Sequence, residues 1–296
     1  MLIRADGAAL RVDAPAKLNL FLEVLGSRVD GFHELETLMV TISLHDTLRF
    51  TEEPEPAIRL RCHGGVGVDV SVPAGDDNLV VKAAKLLQDR TGTRRGVTID
   101  LWKRIPMSAG LAGGSTDAAA ALLALDRLWE LDLASEELLS LAAELGSDVA
   151  FFVRGFPAAI CRGRGEKIAA VERPLELAVV VARPASGLST AEVFGHCQVS
   201  ARPRSAQPLV EALVNGRIAS ARSLFHNALQ KTATTLNQEV ADLITRIDRH
   251  PVLATAMTGS GSACFGLCPT ARSARAVART LRAGGVPWAR ALRTGV

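Results

Sequence analysis

Apolar positions recur along the chain with two spacings: alternation, which predicts strands, and a period of about 3.6 residues, which predicts helices. The segment KLNLFLEVL partly alternates, whereas NLVVKAAKLLQDRTG, from Asn78, has helical spacing up to Gly92. In the first half, strands are predicted at residues 17–25, 36–51 (as one or two strands, broken near His45 and Asp46), 57–62 and 96–105. Helices are predicted at residues 78–91, 116–131 and 135–145, the last with Ser135 as its N-cap.

The second half has the pattern of a separate α+β unit. Gly and Arg residues near 156–171 indicate turns between short strands, and we place the domain junction there. Later strands are predicted at residues 175–184, 252–257, 263–267 and 287–292, and helices at 206–228, 237–249 and 270–283. The sequence therefore predicts an N-terminal domain over residues 1–155 and a C-terminal domain over residues 156–296.

Composition narrows the class of protein. The chain has 296 residues, 48% of them hydrophobic, which suits two domains with cores. Its 34 basic and 31 acidic residues are interspersed, whereas nucleic-acid-binding proteins more often cluster basic residues. The five Cys include no CxxC pair, which predicts reduced, packed thiols. No signal peptide or membrane span is evident, so we expect a cytoplasmic protein without membrane or nucleic-acid partners.

One segment carries candidate chemistry: PMSAGLAGGSTDAAA, at residues 106–120, where a glycine-rich stretch leads from a strand into a helix. Glycine lets the backbone approach a ligand, and the first N–H groups of a helix carry partial positive charge. This arrangement therefore suits a phosphate group. It is neither a Walker A loop, because no Lys follows a Gly, nor a GxGxxG loop. A flexible loop before a well-capped helix stays open as an alternative.

Three ordered motifs resemble those of the GHMP kinase superfamily (galacto-, homoserine, mevalonate and phosphomevalonate kinases). They are PAKLNLFL at 15–22, the segment at 106–120 and TGSGSACFG at 258–266. The resemblance implies a two-domain α+β fold with an N-terminal ribosomal-protein-S5-domain-2-like ATP-binding domain and a C-terminal ferredoxin-like, substrate-binding domain. It places the active site in the cleft between them. It also implies ATP as co-substrate, an accompanying Mg²⁺ ion without assigned protein ligands, and packing of the third motif against the middle loop.

The same resemblance implies roles for individual residues. Asp148, in GSDVAFF, is implied to be the base that takes the proton of the acceptor hydroxyl, and Lys17 to pair with Asp148 and that hydroxyl. Seen alone, Asp148 also suits a helix cap or turn, and Lys17 an edge strand with its ammonium in water. The residues implied to bind ATP are Pro106, Met107, Ser108, Ala109, Gly110, Leu111, Ala112, Gly113, Gly114, Ser115 and Thr116, with Asn78 and Lys103 near the adenine.

Further segments are similar to one branch of the superfamily: SRVDGFHELETL, DNLVVKAAKLL and GLSTAEVF. The acceptor in that branch is a cytidine diphosphate-linked methylerythritol, phosphorylated on its 2-hydroxyl in the non-mevalonate route to isoprenoid precursors. The resemblance implies that Phe32 and Phe194 sandwich the cytosine and that His33 reads its edge. It also implies that Thr190 lines this site, and Asn19, two positions after Lys17 on the same strand face, could bind substrate too. Core packing of the two Phe and a surface position for His33 are the alternatives.

Three features depart from the family pattern or stay open. Position 32 is often Tyr in relatives, and this chain has no Tyr. Ser108, Ala109 and Ala112 stand where relatives can have Gly, which predicts a stiffer loop, and Asp117 is given no metal role. Lys103 also suits a solvent-facing strand end. Two other functions stay open, another small-molecule kinase of the superfamily and a nucleotide-binding regulator without catalysis.

Overall fold

The structure, a computed structural model, describes residues 1–64 and 75–296. Its strands are β1 (Leu2–Asp6), β2 (Ala9–Ser27), β3 (His33–Glu53), β4 (Ile58–Gly64), β5 (Gly96–Lys103), β6 (Ala158–Gly163), β7 (Lys167–Ala170), β8 (Ala178–Arg183), β9 (His226–Asn227), β10 (Ala254–Met257), β11 (Cys264–Cys268) and β12 (Trp288–Arg293). Its helices are α1 (Leu79–Thr91), α2 (Gly113–Leu128), α3 (Ser135–Leu145), α4 (Val149–Arg154), α5 (Thr190–Gly195), α6 (Gln207–Val214), α7 (Gln230–Leu236), α8 (Gln238–Asp248) and α9 (Ala271–Ala283), with a 3-10 helix at Ala219–Leu224.

The elements predicted in the first half are confirmed with three corrections. β3 is one strand, and the predicted break near Asp46 is wrong because the buried Asp46 carboxylate accepts backbone N–H groups of Arg104 and Ile105. α2 begins at Gly113, before the predicted start at Thr116, so part of the glycine-rich segment is helical. α3 starts as predicted, but its N-cap is Ala134, without a side-chain hydrogen bond.

In the second half, the single helix predicted over residues 206–228 is wrong. α6 ends at Val214 because Gly216 turns the chain with φ of 68°, and the 3-10 helix and β9 follow. The short helices α4, α5 and α7 were not predicted, since six or seven residues show too little periodicity. The other predicted elements are present, and the mixed α+β content is confirmed.

The described residues form two compact units, each assembled from several stretches of chain. The first comprises Met1–Ala16, Leu44–Met107 and Ala112–Gly155. In it β1 pairs antiparallel with the start of β2, the end of β3 pairs antiparallel with β5, and β4 lies parallel to β5. Helices α1 to α4 pack on one another, and buried alanines of α2 allow close contact because their side chains are small.

The second unit comprises Lys17–Ser43, Ser108–Leu111 and Phe156–Val296. In it β6 pairs antiparallel with the start of β3 and with β7, and β9 pairs parallel with β2. A separate antiparallel sheet has the order β10-β11-β8-β12, and α8 and α9 pack on it. The strong apolar stripes of these helices, which include Leu243, Ile247 and Val277, enter a core with Val180 of β8.

No helix in the described ranges is long and apolar enough to cross a membrane. All five Cys are free thiols, as predicted, and three of them are buried.

Candidate active site

In the first unit, the glycine-rich segment enters α2 through a strained residue. Ala112, the N-cap of α2, has φ of 56°, in the left-handed region that favours glycine. It offers no side-chain hydrogen bond to the helix, so the first N–H groups of α2 have no side-chain cap at this position. A Cβ on Gly114 would meet only Leu79 Cδ1, at 3.5 Å, which is ordinary contact. Gly114 is exposed, so a ligand can reach its backbone.

Beneath the start of α2 lies a buried group of three ionisable side chains. Lys103 Nζ donates to a carboxylate oxygen of Asp46 and to Asp117 Oδ2, the latter at 2.7 Å. Burial, followed by the neighbouring Asp46 carboxylate, raises the pKa of Asp117 to about 8, although the Lys103 ammonium opposes the shift. Burial alone would lower the pKa of Lys103, but the two carboxyl groups raise it above its ordinary value. At neutral pH we therefore assign a proton to Asp117, while Lys103 keeps its charge.

These contacts correct one alternative from the sequence. Lys103 is 3% exposed, so a solvent-facing strand end is wrong for it. Asn78, also predicted near the adenine, is the N-cap of α1, and its Oδ1 accepts the N–H of Val80 at 2.9 Å. The backbone around Asn78 is thereby fixed. Contact of either residue with a nucleotide stays a prediction.

Asp148 lies at the junction of α3 and α4, also in the first unit. It is half-buried and precedes four buried residues, Val149, Ala150, Phe151 and Phe152. Asp148 holds the N-cap position of α4, but its side chain makes no capping hydrogen bond. Asp148 thus lies in a turn, as one alternative from the sequence has it, but capping of α4 does not account for its carboxylate.

In the second unit, Lys17 and Asn19 form a buried polar pair on β2. Lys17 is 3% exposed, which makes the water-facing alternative wrong, and its Nζ donates to Asn19 Oδ1 at 2.5 Å. The Asn19 side chain also donates to Thr37 Oγ1 at 2.8 Å, while its backbone N–H donates to Thr258 Oγ1 at 2.9 Å. Asn19 thus orients the Lys17 ammonium and links β2 to the third motif. Thr37 and Thr258 were not predicted.

The stretch Ser108–Leu111 packs against the third motif, as the resemblance implies. The backbone of Ala263 donates to Ala109 O, and that of Lys17 donates to Leu111 O, each at 3.2 Å. Gly110 has φ of 71°, and a Cβ there would lie 2.2 Å from the carbonyl oxygen of Thr258. Gly110 is therefore required by packing as well as by its backbone conformation.

The glycines of the third motif likewise have positive φ, and one of them lies close to the stretch Ser108–Leu111. A Cβ on Gly259 would lie 3.1 Å from Gly110 O, and both Gly259 and Gly261 have positive φ. Glycine is therefore favoured at both turns, and Gly259 adds a close approach. Ser260 in this motif shares a 2.9 Å hydrogen bond with Thr190 Oγ1. The start of α5 is thereby tied to the third motif.

The predicted cytosine-binding residues also lie in the second unit. The rings of His33 and Phe194 are 5.1 Å apart at their centroids and tilted by 35°. Phe32 is 47% exposed, and the guanidinium carbon of Arg164 lies 4.7 Å from its ring centroid. Core burial is therefore wrong for Phe32, whereas Phe194 is half-buried and packs against the apolar core of the second unit. His33 is half-buried after the turn, so a surface position stays an alternative for it. Arg164 was not predicted, since it lies in a turn between β6 and β7 and outside every motif.

Comparison with known proteins agrees with this geometry. The family model for the GHMP kinases N terminal domain matches residues 78–156, and that for GHMP kinases C terminal matches residues 209–286. The chain is 43% identical to a 4-diphosphocytidyl-2-C-methyl-D-erythritol kinase of Bacillus velezensis, over 86% of each chain. It is 41% identical to the protein of that name in Bacillus subtilis, again over 86% of each.

Solved structures give the same relationship. A crystal structure of 4-(cytidine 5'-diphospho)-2C-methyl-D-erythritol kinase matches with a TM-score of 0.79 and 35% identity, over 97% of this chain and 99% of that one. Homoserine kinase from Cytophaga hutchinsonii matches with a TM-score of 0.73 and 16% identity, over 100% and 97%, which shows the fold alone. The two family models match both halves of the chain and relatives above 40% identity cover 86% of it, and the chain therefore belongs to the GHMP kinase family of ATP-dependent small-molecule phosphotransferases.

Proposed function

We propose that this chain transfers the γ-phosphoryl group of ATP to the 2-hydroxyl of 4-diphosphocytidyl-2-C-methyl-D-erythritol, giving the 2-phosphate and ADP. The observation that carries the proposal is the similarity to Bacillus kinases of that name, which spans 86–87% of this chain at 41–43% identity. The homoserine and mevalonate kinases that share the fold are only 14–17% identical. The product would serve the non-mevalonate route to isoprenoid precursors.

In the proposed step, the acceptor hydroxyl oxygen attacks the γ-phosphorus, and the bond from that phosphorus to the β–γ bridging oxygen breaks. ADP leaves, and the hydroxyl proton passes to Asp148. A half-buried carboxylate at the edge of an apolar run suits this role. Lys17, held by Asn19, would stabilise negative charge on the reacting oxygen atoms.

The glycine-rich segment from Pro106 to Thr116 would bind the ATP phosphates, with the N–H groups at the start of α2 directed at them. The exposure of Gly114 supports this role. Mg²⁺ would accompany ATP and neutralise phosphate charge, as phosphoryl transfer generally requires. Asp117 does not fit as its ligand, because this carboxyl group is buried against Lys103.

The cytidine part of the acceptor would bind at the exposed ring of Phe32 and the half-buried rings of His33 and Phe194. Phe194 and Phe32 supply flat apolar faces, and His33, in contact with Phe194, supplies ring nitrogens for the edge of the base. Thr190 and Asn19 would line the remainder of the acceptor site. This arrangement fits a pyrimidine nucleotide better than a small aliphatic acceptor such as mevalonate or homoserine.

A coupled assay of ADP release tests the proposal. Purified protein with MgATP is offered the cytidyl-erythritol compound, mevalonate, homoserine and galactose at equal concentrations. We expect ADP release that depends on the cytidyl compound. Release with another alcohol alone would reassign the acceptor, and release with none of them, despite measured ATP binding, would favour a nucleotide-binding regulator.

A further inference from the structure

The buried group of Asp46, Lys103 and Asp117 contacts both ends of the segment that carries the glycine-rich loop. At the entrance, Asp46 Oδ1 accepts the backbone N–H groups of Arg104 and of Ile105, the latter at 2.9 Å. These two residues directly follow β5. One carboxylate oxygen thus fixes the direction in which the chain leaves the strand.

The other end of the loop is held through Lys103. Its ammonium bonds the second oxygen of the Asp46 carboxylate and, on its other side, Asp117 in the first two turns of α2. A Cβ on Gly113 would lie 3.2 Å from Lys103 Nζ and 3.0 Å from Ile105 Cγ2. The start of α2 therefore rests directly on the group that also fixes the entrance.

We propose that Asp46 is a positioning residue for nucleotide binding, because it holds the entrance of the loop directly and its exit through Lys103. The proposal rests on the assignment of the glycine-rich segment to the ATP phosphates. The loop itself cannot supply this order. Ser108 and Ala112 adopt left-handed backbone conformations that cost free energy, and Ser108–Leu111 belong to the second unit. An external anchor on its ends fixes the donors at the start of α2.

The two carboxyl groups have different duties in this network. Asp46 accepts hydrogen bonds at both oxygen atoms, as a carboxylate does. Asp117 bonds Lys103 through Oδ2 only, and its buried Oδ1, like Thr116 Oγ1, has no hydrogen-bond partner among the residues described. An unpartnered buried oxygen is less costly on a neutral acid than on an anion. Asp46 is accordingly the essential anion, and Asp117 a second acceptor that an amide can replace.

Lys103 then acts on the nucleotide through the loop. Two of the three N–H donors of its ammonium are directed at carboxyl groups, and the side chain is 3% exposed. The position near the adenine predicted from the family resemblance is compatible with this role. This role of Lys103 needs no direct contact of its ammonium with ATP.

The test compares Asp46→Asn, Asp117→Asn and Gly114→Ala in the full chain, with Glu36→Gln as a matched control. Glu36 is also a buried carboxylate that accepts a backbone N–H, from Ala206 at 2.7 Å, but it belongs to the second unit, away from the loop entrance in sequence. Affinities for MgATP and MgADP are measured by titration calorimetry, and KM for the cytidyl acceptor by ADP release. All measurements are made well below each variant's melting temperature.

We expect Asp46→Asn to lower the affinities for MgATP and MgADP by about 10-fold or more. KM for the acceptor should change less than threefold. Asp117→Asn should change the two nucleotide affinities and KM for the acceptor less than threefold. Glu36→Gln should lower stability without weakening nucleotide binding. Should Asp46→Asn fail to fold, Asp46→Ser replaces it, because a hydroxyl puts no amide donor beside Lys103. The same nucleotide-selective loss is expected.

Three results would overturn the inference. Normal nucleotide affinity in Asp46→Asn, together with weak affinity in Gly114→Ala, would show a phosphate loop that does not depend on Asp46. Equal losses for nucleotide and acceptor would indicate general damage. Equal losses in Asp46→Asn and Asp117→Asn would contradict the separate duties of the two carboxyl groups. If Gly114→Ala binds nucleotide normally, the assignment of the loop itself fails, and this outcome is distinct from the other three.

Discussion

The imidazole of His33 lies against the ring of Phe194, with 5.1 Å between centroids, although the two residues come from β3 and α5. The contact ties the residue proposed to read the base to a residue proposed to stack on it. Removal of either ring should therefore disturb the other. Their effects on acceptor binding should be coupled rather than additive.

Phe194→Ala should raise KM for the cytidyl acceptor about 5- to 150-fold, because stacking on an aromatic ring is worth about 1–3 kcal/mol per base. KM for ATP should stay near the wild-type value. In the double variant with His33→Ala, KM for the acceptor should rise by less than the product of the two single-variant increases. Steady-state kinetics with each substrate varied in turn measures all of these quantities.

The control is Phe32→Tyr, which keeps the ring beneath Arg164 and should change KM for the acceptor little. His33→Ala alone should narrow the preference for cytidine over uridine forms of the acceptor, since stacking accepts any base. A loss of ATP affinity with a normal KM for the acceptor in Phe194→Ala would show that the rings serve another ligand.

Asp148→Asn should lower kcat by about 10²- to 10⁴-fold, which is the usual contribution of a general base. ATP affinity should barely change, because a general base acts on the acceptor hydroxyl rather than on the nucleotide. Single-turnover phosphorylation and calorimetric ATP binding separate the two effects. A variant with near-normal kcat and lost ATP binding would assign Asp148 to the nucleotide site instead.

Much of this organisation can be predicted from local sequence, and the residues that the prediction missed share one physical cause. The glycine motifs, the helix ending at Gly92 and the strand carrying Lys17 are local patterns, and the structure has them. Asp46 was missed because a polar residue within a strand pattern indicates a break, and its partner Lys103 is 57 residues away. Arg164 was missed for the same reason, since only the tertiary fold brings it over Phe32.

Gly114→Ala should weaken ATP and ADP together while leaving the fold intact. The new Cβ would make only ordinary contact with Leu79, and Ala is favoured over Gly within a helix by roughly 1 kcal/mol, so stability should not fall. Gly26→Ala serves as control, because a Cβ there meets nothing within 4 Å and its φ is not positive. Titration calorimetry and thermal melting report the two properties. Unchanged nucleotide affinity in a normally folded Gly114→Ala would contradict the proposed phosphate site.

Ala112→Gly should leave stability unchanged or raise it by up to about 1 kcal/mol. The substitution removes the left-handed strain at φ of 56°. The free energy gained in this way equals or exceeds the entropic cost of Gly. Ala109→Gly is the matched control in the same loop. Ala109 is buried without positive φ, so loss of its methyl group should destabilise the protein by about 1–2 kcal/mol. Urea unfolding of both variants checks the contrast, and equal destabilisation would show that the backbone at Ala112 is not strained.

The pH dependence of stability should report the proton on Asp117. Burial first, and then the Asp46 carboxylate, raise the pKa of Asp117 from an ordinary 3.8 to about 8 in the folded protein. Between about pH 4 and 8 the folded state keeps a proton that the unfolded state releases. The contribution of Asp117 to the free energy of unfolding is therefore complete below this window, and it falls as pH rises, by up to about 1.4 kcal/mol per pH unit.

Asp117→Asn isolates this contribution, because the amide cannot titrate and still offers an oxygen to Lys103. The pKa of Lys103 is raised above its ordinary 10.5, so its own titration lies outside the window. We expect the stability of the wild type minus that of Asp117→Asn to decrease steadily from pH 5 to pH 8, measured by urea unfolding. A difference that is flat or increases with pH would mean that Asp117 is ionised in the folded protein. Lys103 would then balance two buried anions, and the proposed division of duties between Asp46 and Asp117 would be wrong.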